Sequence, residues 1–331
     1  GGKTELIKVF SDCERSHLVS NIKPASLLSF GNTEDSLLYA ADGKVLIVKD
    51  MSTITQSSKD EKNQLYGFLR DVYDGEFVRY TGKGRLDWAG KIGFIGATTP
   101  IMETYTDFNN MLGERYMYLR MKRTRNEMQL LDNMLKRSGK RDALRNQAYS
   151  MCQAFVDAYT YQQTPVPNNV FESIKKCAIA ISQVRSTVAR DPRDKSVIFP
   201  AGTYEVSTRI AQQLYRIGLV ALSIGTAEKD VVDIMYRFVG DAIPIRRYKI
   251  LRELATGPTQ VRDVAEVVKM SKSQISRDLQ DMTLLDIVEE QSGKGKYAIK
   301  NLTVLRALQC QIKPGAQPVK RPARQRPLQI P

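Results

Sequence analysis

Met270-Ser271-Lys272-Ser273-Gln274-Ile275-Ser276-Arg277-Asp278-Leu279-Gln280-Asp281-Met282 reads as a turn running into a helix. Ile275, Leu279 and Met282 recur at helical spacing and so share one buried face. The turn supplies a serine as N-cap, which predicts a helix over Ser273–Met282. Lys272, Gln274, Ser276, Arg277 and Gln280 are left on the other faces.

The surroundings repeat the pattern. Upstream, Arg246–Ala255 is amphipathic through Ile250, Leu251 and Leu254, and stops at Gly257-Pro258. Thr259 is expected to cap a second helix, Val261–Val268, with Val264, Ala265 and Val268 on one face. Downstream, Ile287-Val288 is expected to pair with Tyr297–Ile299 across Gly293-Lys294-Gly295-Lys296, a glycine-rich basic turn. Three short helices and a hairpin in this order form a helix-turn-helix with a wing, whose third helix presents its first turns to a DNA groove. Lys272, Ser273, Gln274 and Arg277, with Lys294 and Lys296 of the wing, are the candidate duplex-binding residues, because these side chains reach phosphates and base edges. Winged helices also serve as protein-docking modules, and the basic wing argues for DNA.

The charge distribution agrees with a polyanionic partner. The 331 residues carry a net charge of +14, unevenly spread. Residues 120–147 hold nine Lys and Arg against three acids, and Lys313–Pro331 holds five basic residues and no acid. Clustered cations bind nucleic acid by releasing condensed counterions. An apolar fraction of 42% and a charged fraction of 26% are ordinary for a globular protein. The sequence contains no run of eighteen apolar residues and no charged-then-apolar leader, so neither a membrane span nor a signal peptide is expected. Cys13, Cys152, Cys177 and Cys310 lie far apart and read as reduced thiols of a cytoplasmic protein. One histidine, His17, leaves little scope for a zinc cluster or a histidine-based catalytic site.

The first part of the chain has an α/β rhythm. Gly1-Gly2-Lys3-Thr4 runs into a helical pattern through Leu6, Ile7, Val9 and Phe10. Leu37–Tyr39 and Val45–Val48 read as short buried segments, the second as a central strand of a parallel sheet. Residues 60–74 read as a helix, 76–88 as a hairpin about Gly82-Lys83-Gly84, and Ile92–Ala97 as a further buried strand, with Tyr116–Met121 a possible third. Arg79, Lys83 and Arg85 cluster near the hairpin tip, where glycine lets backbone approach a phosphate closely. From Arg123 to about Gly240 the pattern is helical, broken at Thr164-Pro165-Val166-Pro167 and at Asp191-Pro192.

Gly2-Lys3-Thr4 is the end of a P-loop, whose lysine neutralises phosphate charge and whose hydroxyl holds Mg²⁺; a chain beginning there reads as truncated within the loop. Taken in order with Lys49-Asp50, the hairpin, Thr98-Thr99, Leu112-Gly113-Glu114-Arg115 and Ser207-Thr208-Arg209, it resembles the minichromosome maintenance helicases and related AAA+ motors of phages and mobile elements. The resemblance covers roughly residues 1–300. It implies an α/β fold: a P-loop AAA+ core of parallel sheet flanked by helices (1–123), a helical lid (124–242), a C-terminal winged helix-turn-helix (243–301) and a basic disordered tail (302–331). It also implies ATP and Mg²⁺ bound by Gly2, Lys3, Thr4 and Thr98, with Asp50 as the remaining acid for metal and water. Arg115 and Arg209 would act as catalytic arginines across the subunits of a homo-oligomeric ring. Arg79, Lys83 and Arg85 would then hold a single strand in the channel. Lys49 departs from the pattern, standing where these enzymes carry the first of two acids.

Two functions follow. One is an ATP-hydrolysing DNA motor, a replicative helicase. The other is a non-enzymatic DNA-binding regulator whose degenerate nucleotide domain mediates oligomerisation while the winged helix reads a site.

Overall fold

The computed structural model describes residues 2–11, 13–23, 36–52, 54, 57–81, 84–99, 115–121, 126–191, 193, 206–291 and 295–309. The chain divides into two compact units, Gly1–Gln162 and Gln163–Pro331.

The first unit is built on a parallel sheet of β1 (Ser16–Val19), β2 (Val45–Val48) and β5 (Gly93–Gly96), in that spatial order. β2 is the Val-Leu-Ile-Val run, central as its unbroken apolar character predicts. Its alternation sorts two cores. Leu46 and Val48 face one side, where they meet α2 (Leu37–Ala41) and α3 (Lys59–Asp74) through Leu38, Leu65, Phe68 and Leu69. Ile47 faces the other side and meets Ile7 of α1 (Gly2–Lys8). This is a parallel core sheet flanked by helices.

α3 begins on a capping box: the Ser58 hydroxyl accepts from the Glu61 amide, and the Glu61 carboxylate accepts from the Ser58 amide. It ends at Gly75, whose φ of 87° suits the left-handed stop only glycine adopts freely. The expected hairpin follows as β3 (Glu76–Thr81) and β4 (Gly84–Ala89), antiparallel, burying Phe77, Leu86 and Trp88. Leu37–Tyr39, read only as a short buried segment, lies in a helix, and β1 was not anticipated. One expectation changes here: 116–121 forms no regular strand. Beyond it lie α4 (Glu127–Lys136) and α5 (Arg141–Ala158), joined by a 3₁₀ turn. The Arg145 guanidinium of α5 grips Glu5 of α1 through two hydrogen bonds, of 2.9 and 3.1 Å.

The second unit opens with α6 (Asn168–Arg185), α7 (Ser207–Ser223) and α8 (Glu228–Ala242). Their core includes Val170, Ile174, Ile181, Ile210, Leu214 and Met235. At Gly218 of α7 a Cβ would lie 3.6 Å from Ile174 and 3.9 Å from Val231, so a small residue suits the close approach of three helices. α9 (Ile245–Leu254), β6 (Thr259–Gln260), α10 (Val261–Val268), α11 (Lys272–Leu284), β7 (Val288–Gln291) and β8 (Lys296–Ile299) then form a separate helix-turn-helix region closed by a three-stranded sheet, order β6-β8-β7. Thr259 sits in β6 rather than capping α10, because its backbone is used in the pairing with Tyr297 of β8. The segment expected to start a tail instead begins with α12 (Leu302–Gln309), which buries Val304, Ala307 and Leu308. Among the described residues no helix is long and apolar enough to cross a membrane.

Candidate nucleic-acid interface

α11 is positioned by its apolar face. Ile275, Leu279 and Met282 are fully buried, at the spacing the sequence shows. Its start is fixed by Ser271, whose hydroxyl accepts from the Gln274 amide at 3.3 Å, so the helix begins at Lys272. Lys269 closes α10 in the left-handed conformation (φ 58°), which turns the chain sharply between the two helices.

The two acids of α11 decide the electrostatics of the exposed face. Asp278 is buried, and its carboxylate accepts from Arg246 of α9 at 2.7 Å. Asp281 accepts two hydrogen bonds from Arg190 and lies 3.9 Å from Arg247. Arg247 is itself buried, with one Nη1 donating to the carbonyls of Val184 and Ser186. Burial lowers its pKa from the ordinary arginine value, against the pull of Asp281 and Asp278. Both acids are thus neutralised on the inner side. What remains facing solvent is Lys272, Ser273, Gln274, Ser276 and Arg277, all exposed. Among the described residues neither Lys272 nor Arg277 has an ion-pair partner. Gln280 is exposed but accepts a hydrogen bond from Arg190 at 3.0 Å. None of this arginine network was read from the sequence; the available signal was a pair of acids on a recognition helix with Arg246-Arg247 on a neighbouring one.

In the wing, Lys296 opens β8 opposite Gln291 and is half-buried. Lys294 lies outside the described residues. Burial, and then Glu290 beside it, raises the pKa of Tyr297 above its ordinary value.

The residues expected to bind nucleotide fall in the first unit. Gly2, Lys3 and Thr4 open α1, and the Lys3 ammonium donates to the Thr98 carbonyl at 2.6 Å, just beyond β5. Asp50 follows β2 and accepts from the backbone and hydroxyl of Ser52, at 2.8 and 2.5 Å; these bonds, with the charge of Lys3, hold its carboxyl below the usual range. The Thr98 hydroxyl points to the Thr99 carbonyl at 3.4 Å. Arg115 pairs with Asp74 at the end of α3 in its own chain, at 2.9 Å. Arg209 is half-buried on α7, in the second unit. Arg79 is exposed on β3, and Arg85 on β4 pairs with Asp87 at 3.0 Å; Lys83 lies outside the described residues. Among the described residues no cluster of His, Cys, Asp and Glu could hold a metal ion.

Residues 246–290, from α9 into β7, match the family described as bacterial regulatory protein, arsR family. No curated protein matches the chain. The family match overturns the resemblance to minichromosome maintenance helicases and AAA+ P-loop motors, and with it the expected ATPase and helicase activity and the assignment as an enzyme. The segment with the strongest signal in the sequence is the one that is similar to a family of bacterial regulatory proteins. The local geometry of the first unit agrees with the correction: Lys49 stands at the strand end where a motor needs an acid, and Asp50 is committed to Ser52.

Proposed function

We propose that this protein is a DNA-binding regulator that contacts duplex DNA through α11 and its wing. The observation that carries the reading is the partition of charge on α11. Asp278 and Asp281 are turned inward onto Arg246, Arg190 and Arg247. Lys272, Ser273, Gln274 and Arg277 face outward on a helix of 13 residues, which a major groove about 12 Å wide admits. In this reading Lys272 and Arg277 take phosphates or guanine edges, Ser273 and Gln274 take base edges, and Lys294 and Lys296 follow the adjacent backbone.

A homo-oligomer belongs to the same proposal, without commitment to a ring. Its support is α4, which buries none of its residues and exposes Met128, Leu131 and Leu135 along one stripe. Sedimentation velocity at micromolar concentration tests it, and a monomer at every concentration would remove it.

The reading is tested by titrating a labelled duplex at several salt concentrations with the full chain and with K272A/R277A. The parent is expected to bind with a steep salt dependence. The double variant is expected to bind at least tenfold more weakly, with the slope reduced by roughly one for each lost phosphate contact. Equal affinity and equal slope in the two proteins would remove α11 from the interface.

A further inference from the structure

Arg190, just past the end of α6, reaches two consecutive side chains of α11 at once. Its Nε and one Nη donate to the same oxygen of Asp281, at 3.1 and 2.5 Å, and that Nη also donates to the Gln280 side chain at 3.0 Å. The side chains of Arg190 and Asp281 are only 14% and 18% exposed, so the donor that meets Gln280 is itself anchored. An arginine carries donors and no acceptor, so the atom of Gln280 turned toward it is the oxygen Oε1. The Nε2 group projects from the other side of the amide, and among the described residues it donates to nothing.

Gln280 is exposed on the face of α11 that looks away from its packing. Ile275, Leu279 and Met282 define the buried side, and the helical period puts Ser273, Arg277 and Gln280 opposite them. Ser273 and Gln280 are about 10 Å apart along the axis, a span that neighbouring base pairs of one groove cover. The face opposite the packing is the one that meets the groove floor when the helix docks, so residue 280 is aimed at base edges rather than at the phosphate walls.

We propose that Arg190 is a positioning residue that makes Gln280 a one-sided reader of base edges, offering hydrogen-bond donors and selecting guanine. The inference rests on duplex binding by α11. A free glutamine suits adenine, whose N7 accepts and whose N6 amine donates, because the amide then uses both of its polar atoms. Here the oxygen lies against a guanidinium, and the adenine amine would approach that cation donor-first. Guanine presents N7 and O6, two acceptors side by side, which match the outward Nε2. Discrimination therefore comes from the mismatch built against adenine as well as from the fit to guanine.

The experiment is motif selection from a random-sequence duplex pool by the full chain, by Q280E and by R190K. Titration of the parent's selected duplex, and of duplexes changed at single positions, follows for each protein. Q280E keeps the bond to Arg190 and replaces the outward donors with an acceptor. One guanine of the parent's motif is expected to give way to cytosine, whose N4 amine donates, with discrimination there changed on the order of fivefold or more. The other positions should be kept. R190K retains a cation for Asp281 but loses the planar fork that holds Gln280 as well. At that same position it should accept adenine about as well as guanine, a change that a loosened fold would not confine to one base pair. Circular dichroism checks that both variants are folded. A parent that enriches no motif would remove the DNA reading and this inference together. A parent that enriches one, with Q280E leaving every position unchanged or weakening all sequences equally, would overturn the inference alone. So would adenine at the affected position of the parent's motif, or parental discrimination in R190K.

Discussion

Arg247 is the residue on which the placement of the recognition helix turns. It is buried, donates to Val184 and Ser186 from the end of α6 and its exit, and faces Asp281 of α11. Arg247→Met keeps most of the volume but leaves two carbonyls and part of a buried charge uncompensated. We expect a loss of about 3 kcal/mol in the stability of the second unit. Far-UV circular dichroism during urea unfolding reads it. The single tryptophan, Trp88, lies in the first unit, so its fluorescence transition should not move. A dichroism midpoint unchanged from the parent would show that Arg247 is dispensable. Asp50 gives a pH test of the other unit. Its folded pKa is depressed, first by the Ser52 hydroxyl and then by the Ser52 amide. The stability it contributes is therefore present above the unfolded carboxylate range and is lost as pH falls through the lower folded value. Ser52→Ala should raise the Asp50 pKa toward the ordinary value, read by carboxyl NMR titration; no change would assign the depression elsewhere.

At the scale of elements, local pattern was a good guide where an element is set by its own residues. β2, α3, the β3–β4 hairpin and the three helices of the winged region follow from periodicity, a capping serine and glycine stops. It failed where distant residues decide. Leu37–Tyr39 reads from the sequence only as a short buried segment, and its helical state over the sheet is set by the parallel register that leaves β1 beside β2. Tyr116–Met121 has strand composition yet pairs with no described strand; Tyr116 is held by the Leu69 backbone carbonyl and the Tyr73 ring of α3 and by the Phe94 ring of β5. The arginines that neutralise Asp278 and Asp281 come from up to 91 residues away in sequence, so no window along the chain would reveal them. Two element-scale outcomes follow. Ser271→Ala removes the α11 cap and should cost about 1 kcal/mol, measurable as a lower unfolding midpoint of the second unit. The R79A/R85A pair removes charges from the β3–β4 hairpin, where Arg85 is already offset by Asp87. Duplex affinity in that variant should stay within about twofold of the parent, the small change expected when few phosphate contacts are lost. A loss comparable to that of K272A/R277A would move the duplex interface to the first unit.

Taken whole, the molecule joins an α/β unit with a parallel sheet to a helical unit ending in a helix-turn-helix of a kind found in bacterial regulatory proteins. The sequence motifs that suggested a motor were individually short, and a tripeptide such as Gly2-Lys3-Thr4 is shared by many unrelated chains. The winged-helix signal was longer and was set by packing, and residues 246–290 within it match a family model. The excess charge of +14 adds affinity for any nucleic acid without choosing a sequence. Specificity therefore separates a regulator from a protein that merely adheres to DNA. The decisive measurement is selection of bound duplexes from a random-sequence pool, by the full chain and by K272A/R277A, at physiological salt. The account predicts that the parent enriches a defined motif and that the double variant does not. A parent that enriches no motif, or a variant that enriches the same one equally well, would contradict it.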